Sequence, residues 1–257
     1  RGLVDVYKRQ PWMLPRRKLP NALNERFRRS RYPKRSDATD ASDTIRHMDD
    51  RALIWGILLA AGRGTRFGRP KHNLELHDVP LWQWAHRALI DGGVEELVVV
   101  GDVEGAVPGG DRRQDSVAAG LEQIPVDDGL VLVHDAARPL LTPDLVQRVI
   151  ARMAIGDVAG VIPAVPIRDT IKRVDHERVT ETVDRGDLVS VQTPQGFDLR
   201  TLRSAHASFD GNATDDSSMV ESIGGSVAVV EGDPMNLKVT YPEDLLLVEA
   251  LRSGDYE

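Results

Sequence analysis

The stretch "LAAGRGTRFGRPK", from Leu59 to Lys71, combines three glycines with three arginines and a lysine directly after an apolar run. Glycine backbone can turn its N–H groups toward an anion, and the cationic side chains supply charge for several phosphate oxygens. The G-x-x-x-x-G-K-[ST] pattern is absent, and Phe67 stands where G-x-G-x-x-G needs its last glycine. By composition alone, a polyphosphate site and a basic surface turn fit this loop equally well.

Two further motifs place charged side chains next to predicted element ends. "GGDRRQDSV" brings Gly110, Asp111 and Ser116 together, and "VHDAARP" ends an apolar run with Asp135 and Arg138. The first motif is equally typical of a loop that enters a helix with a carboxylate in its first turn. Packing seldom requires polar residues at the end of a buried strand, so the second motif indicates a site more strongly.

Three other polar features are less specific. Lys238 in "NLKVT" follows the last predicted strand, where a lone lysine is ordinarily a solvated charge. Asp215 and Asp216 of "TDDSS" have the composition of a metal pair, but their place favours a cap of the next helix. The histidines from His72 onward show no spacing typical of a metal site.

The elements that position these motifs follow from alternating apolar and helical patterns. Strands are predicted in "ALIWGILLAA", "EELVVVGD", "GLVLVHDAARP", "VAGVIPAV" and "SVAVVEGD", and helices in "PLWQWAHRALID", "QDSVAAGLEQI", "TPDLVQRVIARMA", "DLRTLRSAHASF" and "PEDLLLVEALRS". This alternation implies right-handed crossovers and a mostly parallel sheet covered on both faces. The predicted fold class is a doubly wound α/β fold, which binds ligands at the carboxyl ends of its strands.

The alternation stops between Pro166 and Gln192. "DTIKRV" and "RVTETVDR" are short alternating segments on either side of "DHE", a pattern typical of a β-hairpin. A hairpin with so little apolar surface is not stable alone. We therefore expect this arm, about residues 166–190, to protrude and to lean on the sheet or on a second subunit.

Composition limits the possible chemistry. The 257 residues include no cysteine, which excludes a disulfide framework, a thiolate metal site and a cysteine nucleophile. No apolar stretch reaches the roughly 18 residues that cross a bilayer, and the N-terminus lacks the apolar core of a signal peptide. We expect a cytoplasmic enzyme or binding protein without a membrane partner.

The net charge of -7 is unevenly distributed. Residues 1–47 hold 13 Lys and Arg against 5 Asp and Glu, which leaves about -15 on the rest of the chain. A body this acidic is a poor nonspecific binder of nucleic acid, and we expect no such partner. We expect residues 1–47 to be a disordered or extraneous extension, with translation starting at Met48 and a single domain over 48–257. A basic arm that touches nucleic acid is the alternative for this extension.

Seven motifs, taken in order, resemble the bacterial and plastid 2-C-methyl-D-erythritol 4-phosphate cytidylyltransferases. They are "LAAGRGTRFGRPK", "GGDRRQDSVAAGL", "VHDAARP", "AVPIRDTIKRV", "TVDRGDLVSVQTPQGF", "TDDSSMVE" and "NLKVTYPEDL". The resemblance covers about residues 52–252, and the ordered set is far more specific than any one motif. It implies a Rossmann-like nucleotidyltransferase fold.

The resemblance also implies an activity and a set of site residues. The activity is transfer of a cytidylyl group from CTP to 2-C-methyl-D-erythritol 4-phosphate, which yields 4-diphosphocytidyl-2-C-methyl-D-erythritol and pyrophosphate in isoprenoid precursor biosynthesis. The implied catalytic residues are Arg66, Lys71 and Lys238. The implied CTP-binding residues are Ala60, Ala61, Gly62, Gly64, Gly110, Asp111, Ser116 and Ala136. The implied substrate-binding residues are Asp135, Arg138, Thr170, Arg185 and Thr193.

A metal and a second subunit are implied as well. The metal is Mg²⁺, held mainly by the CTP phosphates, so no protein ligand is assigned to it. The subunit arrangement is a homodimer whose arms are exchanged, so that Thr170 and Arg185 serve the site of the neighbouring protomer.

Two alternatives and one departure limit this interpretation. A cytidylyltransferase for ribitol 5-phosphate shares the glycine loop and "TPQ", although "RDTIKR" and "TVDR" favour methylerythritol phosphate. A noncatalytic nucleotide-binding module is the second alternative, but it has no reason to keep Arg66, Lys71, Arg185 and Lys238 together. The departure is "PKHN", because the family commonly has Gln after this lysine.

Overall fold

The computed structural model describes residues 53–61 and 74–253. Its strands are β1 Ile54–Leu59, β2 Glu75–Leu76, β3 Val79–Pro80, β4 Glu96–Val100, β5 Leu130–Asp135, β6 Gly160–Pro166, β7 Ile171–Asp175, β8 Arg178–Val183, β9 Val189–Val191, β10 Gln195–Asp198 and β11 Val227–Glu231. Its helices are α1 Leu81–Asp91, α2 Arg113–Glu122, α3 Pro143–Met153, α4 Leu199–Ser208, α5 Asp216–Ser222 and α6 Pro242–Ser253. Every strand and helix predicted from the apolar patterns is present.

The main sheet has seven strands in the order β11-β6-β10-β5-β1-β4, with β9 paired to the end of β6. β1 pairs in parallel with β4 and β5, and β6 pairs in parallel with β11. β10 runs antiparallel between β5 and β6. β10 was not predicted from the sequence, because "QGFD" is short and carries a glycine rather than an alternating apolar pattern. The mostly parallel, doubly wound sheet is confirmed.

Helices cover both faces of the sheet because successive residues of a strand point to opposite sides. Ile54 and Leu58 of β1 belong to an apolar cluster with residues of α1 and α3. Ile57 and Leu59 belong to a second cluster with residues of α2, α4 and α5. β5 is buried at all six of its positions. The sheet centre is therefore fixed by packing on two sides, and its strand ends are held in place.

A third apolar cluster fixes the C-terminal segment. Leu76, Leu81, Val239 and Val248 pack together, which joins β2, α1 and α6. The backbone N–H of Val239 donates to the carbonyl oxygen of Ala137 at 2.8 Å. The neighbouring residue, Lys238, is thereby held beside the loop that follows β5.

The arm is built differently. β7 and β8 form a separate two-stranded antiparallel sheet, as the hairpin pattern predicts. Their side chains are almost all exposed, and Val174 and Val179 are 54% and 60% exposed. Within the described residues, the two strands pair only with each other, so the arm has no core of its own.

Across the described ranges, none of the helices has the length and apolar character that crossing a membrane requires.

Candidate active site

The carboxyl ends of β1, β4 and β5 meet at one edge of the sheet. The backbone N–H of Ala60 donates to the carbonyl oxygen of Val100 at 2.8 Å, and that of Ala136 donates to the carbonyl oxygen of Leu59 at 3.0 Å. Ala60 and Ala136, two of the three predicted CTP-binding alanines, therefore lie at the same edge.

The loop before α2 packs against this edge. A Cβ added at Gly109 would stand 2.5 Å from the Cβ of Ala61, too close for any side chain. The backbone N–H of Gly110 donates to Ser116 Oγ at 3.1 Å. The structure thus brings three predicted CTP-binding residues, Ala61, Gly110 and Ser116, to one place. Asp111 lies on the exposed side of the same loop.

Asp135 is the centre of the charged residues at this edge. Its Oδ1 accepts from Arg113 Nε at 3.1 Å, and its Oδ2 accepts from Lys238 Nζ at 2.6 Å. Burial alone would raise the pKa of this carboxyl, but the positive charges of Arg113 and Lys238 outweigh burial and hold the pKa well below its usual range. Asp135 is therefore an anion that orients two cations.

The ion-pair network continues into the protein interior. Arg113 Nη1 donates to Asp216 Oδ2 at 2.6 Å, and His206 Nε2 lies 3.2 Å from Asp216 Oδ1. The Asp216 side chain has no exposed surface. Burial alone would lower the pKa of the Arg113 guanidinium, but the two carboxylates outweigh burial and raise it. Arg113 is thus a fixed counter-ion, whereas Lys238, with 43% of its side chain exposed, can exchange partners.

Arg138 and Thr193 lie beside Asp135 and are held by two buried residues. Arg138 Nη1 donates to the carbonyl oxygen of Asn236 at 2.7 Å, and Asn236 Nδ2 donates to the carbonyl oxygen of Thr193 at 2.9 Å. Thr193 Oγ1 lies 2.9 Å from His134 Nδ1 and accepts from the backbone N–H of Asp135 at 3.2 Å. The predicted residues Asp135, Arg138, Thr193 and Lys238 are therefore brought together.

Sequence reasoning missed four residues of this arrangement: Arg113, His134, Asp216 and Asn236. Asp215 and Asp216 were interpreted as helix-leading residues, and Asp215 does cap α5 by accepting from the Ser218 N–H. That interpretation omitted the contact of Asp216 with Arg113. The doubled arginine of "GGDRRQDSV" was the available signal, because a helix start seldom requires two adjacent cations.

The remaining predicted residues lie elsewhere. Thr170 and Arg185 are on the exposed arm, and Arg185 Nη1 donates to the carbonyl oxygen of Arg168. Within the described residues of this chain, neither side chain is bonded to Asp135, Arg138 or Lys238. The predicted residues Gly62, Gly64, Arg66 and Lys71 lie outside the described residues, as does the extension predicted over 1–47.

Comparison with known proteins tests the family resemblance. The family model described as 2-C-methyl-D-erythritol 4-phosphate cytidylyltransferase matches residues 54–253. The chain belongs to this family. The predicted family resemblance is therefore confirmed, and the match spans the main sheet, the arm and α6.

Individual relatives show how far the similarity extends. The 2-C-methyl-D-erythritol 4-phosphate cytidylyltransferase of Corynebacterium efficiens is 40% identical over 233 residues, which cover 78% of this chain and 94% of the relative. A bifunctional enzyme IspD/IspF of Solidesulfovibrio magneticus is 43% identical over 222 residues, 75% of this chain and 55% of the relative. The chain thus spans about half the length of such bifunctional relatives.

The fold is shared with a solved member of the family. The crystal structure of 2-C-methyl-D-erythritol 4-phosphate cytidylyltransferase from Thermus thermophilus has a TM-score of 0.65 and 36% identity. The similarity covers 77% of this chain and 98% of that structure. The predicted nucleotidyltransferase fold is confirmed.

Proposed function

We propose that the chain transfers the cytidylyl group of CTP to 2-C-methyl-D-erythritol 4-phosphate and releases pyrophosphate, a step of isoprenoid precursor biosynthesis. The observation that carries the proposal is the meeting of Asp135, Arg138 and Lys238 at the carboxyl edge of the sheet, where Asp135 pairs with Leu59, the residue before Ala60. Both substrates carry phosphate groups, so both need the positive charges of Arg138 and Lys238. Family membership supplies the identity of the acceptor.

The chemistry needs positioned cations more than it needs a base. An oxygen of the acceptor phosphate attacks the α-phosphorus of CTP, a new P–O bond forms, and the bond to the pyrophosphate oxygen breaks with its electron pair. The attacking oxygen is already anionic, so no proton must be removed. Negative charge develops on the α-phosphoryl and leaving oxygens, which fixed cations stabilise.

Lys238 is suited to this task. Its ammonium group is 2.6 Å from Asp135 Oδ2, and 43% of its side chain is exposed at the edge of the sheet. Asp135 holds the ammonium in place until a phosphate oxygen replaces the carboxylate as its partner. We assign the same task to Arg66 and Lys71, in the glycine loop beyond the described residues.

The two substrates are assigned to different sides of Asp135. On the CTP side, the proposal includes Ala60, Ala61, Gly62, Gly64, Gly110, Asp111, Ser116 and Ala136. On the acceptor side, it includes Asp135, Arg138, Thr170, Arg185 and Thr193. The hydroxyl of Thr193 is already bonded to Asp135 and His134, so we assign Thr193 to the wall of the acceptor pocket and to the placement of Asp135.

Mg²⁺ is proposed as the cofactor. Within residues 53–61 and 74–253, no three His, Cys, Asp or Glu side chains are grouped as metal ligands, and both oxygens of Asp135 already have cationic partners. This donor set fits an ion held by triphosphate oxygens and water rather than by a protein cage. When bound, Mg²⁺ neutralises part of the triphosphate charge.

The location proposed for the reaction is the cytoplasm.

A homodimer with exchanged arms is also proposed. Thr170, Arg185, Val174 and Val179 are exposed on an arm that has no core, and the acceptor side of the site lacks both Thr170 and Arg185 within one chain. A partner that receives the arm would cover the two valines and complete the site with the two polar residues.

Mixing two impaired variants, assayed at an acceptor concentration well below KM, tests the exchange. Arg185→Ala loses the arm contact, and Lys71→Ala loses the cation of the glycine loop. In a mixed dimer with exchanged arms, the protomer that keeps Lys71 receives the arm that keeps Arg185, so one complete site forms. We expect activity well above the sum of the two separate variants, and no increase on mixing would overturn the exchange.

The acceptor is tested by pyrophosphate release from CTP with Mg²⁺. We expect turnover with 2-C-methyl-D-erythritol 4-phosphate and at least about tenfold lower kcat/KM with ribitol 5-phosphate, because the proposal assigns the arm contacts to the first acceptor. A higher kcat/KM with ribitol 5-phosphate would favour the ribitol alternative, and equal values for the two acceptors would contradict the proposed selectivity. CTP binding with no pyrophosphate release would support a noncatalytic module and contradict the proposed activity.

A further inference from the structure

Four residues at the site form a closed ring of hydrogen bonds, which we name the acceptor ring: His134, Arg138, Thr193 and Asn236. His134 Nδ1 lies 2.9 Å from Thr193 Oγ1, and the Thr193 carbonyl oxygen accepts from Asn236 Nδ2 at 2.9 Å. The Asn236 carbonyl oxygen accepts from Arg138 Nη1 at 2.7 Å. The Arg138 carbonyl oxygen lies 3.4 Å from His134 Nε2, which closes the ring.

The ring fixes the tautomer of His134. The carbonyl oxygen of Arg138 can only accept, so Nε2 must carry the proton and Nδ1 must be the acceptor. The hydroxyl of Thr193 therefore donates to Nδ1 and accepts from the backbone N–H of Asp135. Complete burial lowers the pKa of the His134 imidazole to about 3, although the negative charge of Asp135 acts in the opposite direction. His134 is thus neutral under the ordinary conditions of an assay.

The burial of His134 and Asn236 indicates what their polar atoms do. His134 and Asn236 each have 0% of their surface exposed. Apolar side chains of similar size would fill such places without the desolvation penalty of a polar group. Within the described part of the chain, the side-chain hydrogen bonds of both residues run to Arg138 and Thr193 and to no other residue. Their polar atoms therefore act on the site rather than on the rest of the core.

We propose that His134 and Asn236 are positioning residues that fix Arg138 and Thr193 for the acceptor phosphate, through the closed hydrogen-bonded ring. This inference rests on the proposed function, because that function assigns Arg138 and Thr193 to the acceptor. Asn236 also precedes Lys238 by two residues, so the same anchor holds the segment that carries the exchangeable cation. The ring is thus in place before either substrate binds.

A kinetic comparison tests the proposal. Asn236→Leu removes the bond to Thr193 and also removes the buried Asn236 Oδ1, which has no partner among the described residues. Gln195→Leu is the matched control: Gln195 is 1% exposed, its Nε2 donates to Asp215 at 2.8 Å, and its Oε1 likewise has no partner within that range. The control also loses one buried amide hydrogen bond, here to a carboxylate oxygen outside the ring.

We expect Asn236→Leu to raise KM for the acceptor about tenfold, with KM for CTP changed less than about twofold, since one lost bond of about 1.4 kcal/mol corresponds to a factor of ten. Gln195→Leu should change neither KM selectively. An equal rise of both KM values in Asn236→Leu, or the same acceptor effect in the control, would overturn the proposal.

A second measurement does not depend on activity. Nitrogen NMR of the histidine rings in the full chain, with His134→Gln used to assign the signal, should show His134 neutral and protonated at Nε2 between pH 8 and about 5. Titration in that range or a proton on Nδ1 would overturn the ring. If the unaltered chain shows no turnover, the proposed function and the acceptor assignment fail, whereas this spectrum still decides the ring.

Discussion

The carboxyl edge of the sheet and the arm differ in the burial and pairing of their charged residues. At the edge, Asp135 is buried, and both of its oxygens are bonded to cations. On the arm, Arg185 is exposed, and Val174 and Val179 face solvent. The side chains at the edge are therefore positioned by the folding of one chain. The polar side chains of the arm are exposed and contact no site residue within the described part of the same chain. Substitutions at the edge should change stability and activity together, and substitutions on the arm should separate the two.

Asp135→Asn should have the largest effect. It removes the anion that two cations share, so Arg113 and Lys238 lose their common partner at a buried position. We expect kcat/KM to fall at least about 100-fold. The free energy of unfolding should fall by about 2–3 kcal/mol, below the usual range for broken buried pairs because Lys238 is partly exposed. Steady-state kinetics and urea unfolding measure the two quantities.

The control for Asp135→Asn is an ion pair at the surface. Arg152 Nη1 lies 2.6 Å from Asp157 Oδ1, and the Asp157 side chain is 57% exposed. Asp157→Asn should change the free energy of unfolding by less than about 1 kcal/mol and leave kcat/KM unaltered. If it matches Asp135→Asn, burial is not what distinguishes the edge.

The pH dependence of the free energy of unfolding should also reflect the ion pairs of Asp135. The pKa of Asp135 is lower in the folded chain than in the unfolded chain, so its contribution is complete above the unfolded value of about 3.9 and is lost as pH falls toward the folded value. The difference in unfolding free energy between the unaltered chain and Asp135→Asn should be constant above about pH 5. It should shrink between about pH 4 and pH 3, and a difference that grows there would contradict the assignment.

Arg185→Ala should separate activity from stability. The side chain is exposed, so the free energy of unfolding should change by less than about 0.5 kcal/mol. KM for the acceptor should rise about tenfold, because the proposal gives Arg185 a direct contact with its phosphate. Arg178→Ala removes an exposed arginine at the start of β8 and serves as the control. A similar KM for both variants would remove Arg185 from the acceptor site.

The contrast between the two regions also marks what the sequence could predict about the fold. Strands and helices with strong apolar periodicity, such as β5 and α3, were predictable because both are decided by local pattern and burial. β10 was missed because its place between β5 and β6 is decided by pairing with distant strands. The arm was predictable as a hairpin because alternation and a turn are local features.

For the candidate site, motif order identified Asp135, Arg138, Thr193 and Lys238, and the structure brings these four together. Arg113 and Asp216 are 103 residues apart in sequence, and nothing local to either one predicts their bond. His134 and Asn236 have the same difficulty, because a buried histidine or asparagine is identified as a positioning residue only by the atoms it contacts. Long-range polar pairing is the part of this site that the sequence did not reveal.

The smallest effect is expected for Val179→Thr on the arm, which is compared with the same substitution at Val131 in the sheet. Val131 in β5 is 0% exposed, and Val179 in β8 is 60% exposed. Threonine has almost the shape of valine and suits a strand, so the exchange adds one hydroxyl and little else. Val131→Thr should lower the free energy of unfolding by about 1–3 kcal/mol, because the hydroxyl is buried. Val179→Thr should change it by less than about 0.5 kcal/mol.

Protein concentration sharpens this last comparison. If a partner subunit covers the arm, Val179 becomes buried in the dimer, and its substitution should weaken association as well. The effect of Val179→Thr on thermal unfolding should then grow with protein concentration, whereas that of Val131→Thr should not, because dimer formation stabilises by mass action. A Val179 effect as large as that at Val131 in dilute protein would mean that the arm packs within its own chain. The polar residues of the arm would then have to reach the site from the same protomer.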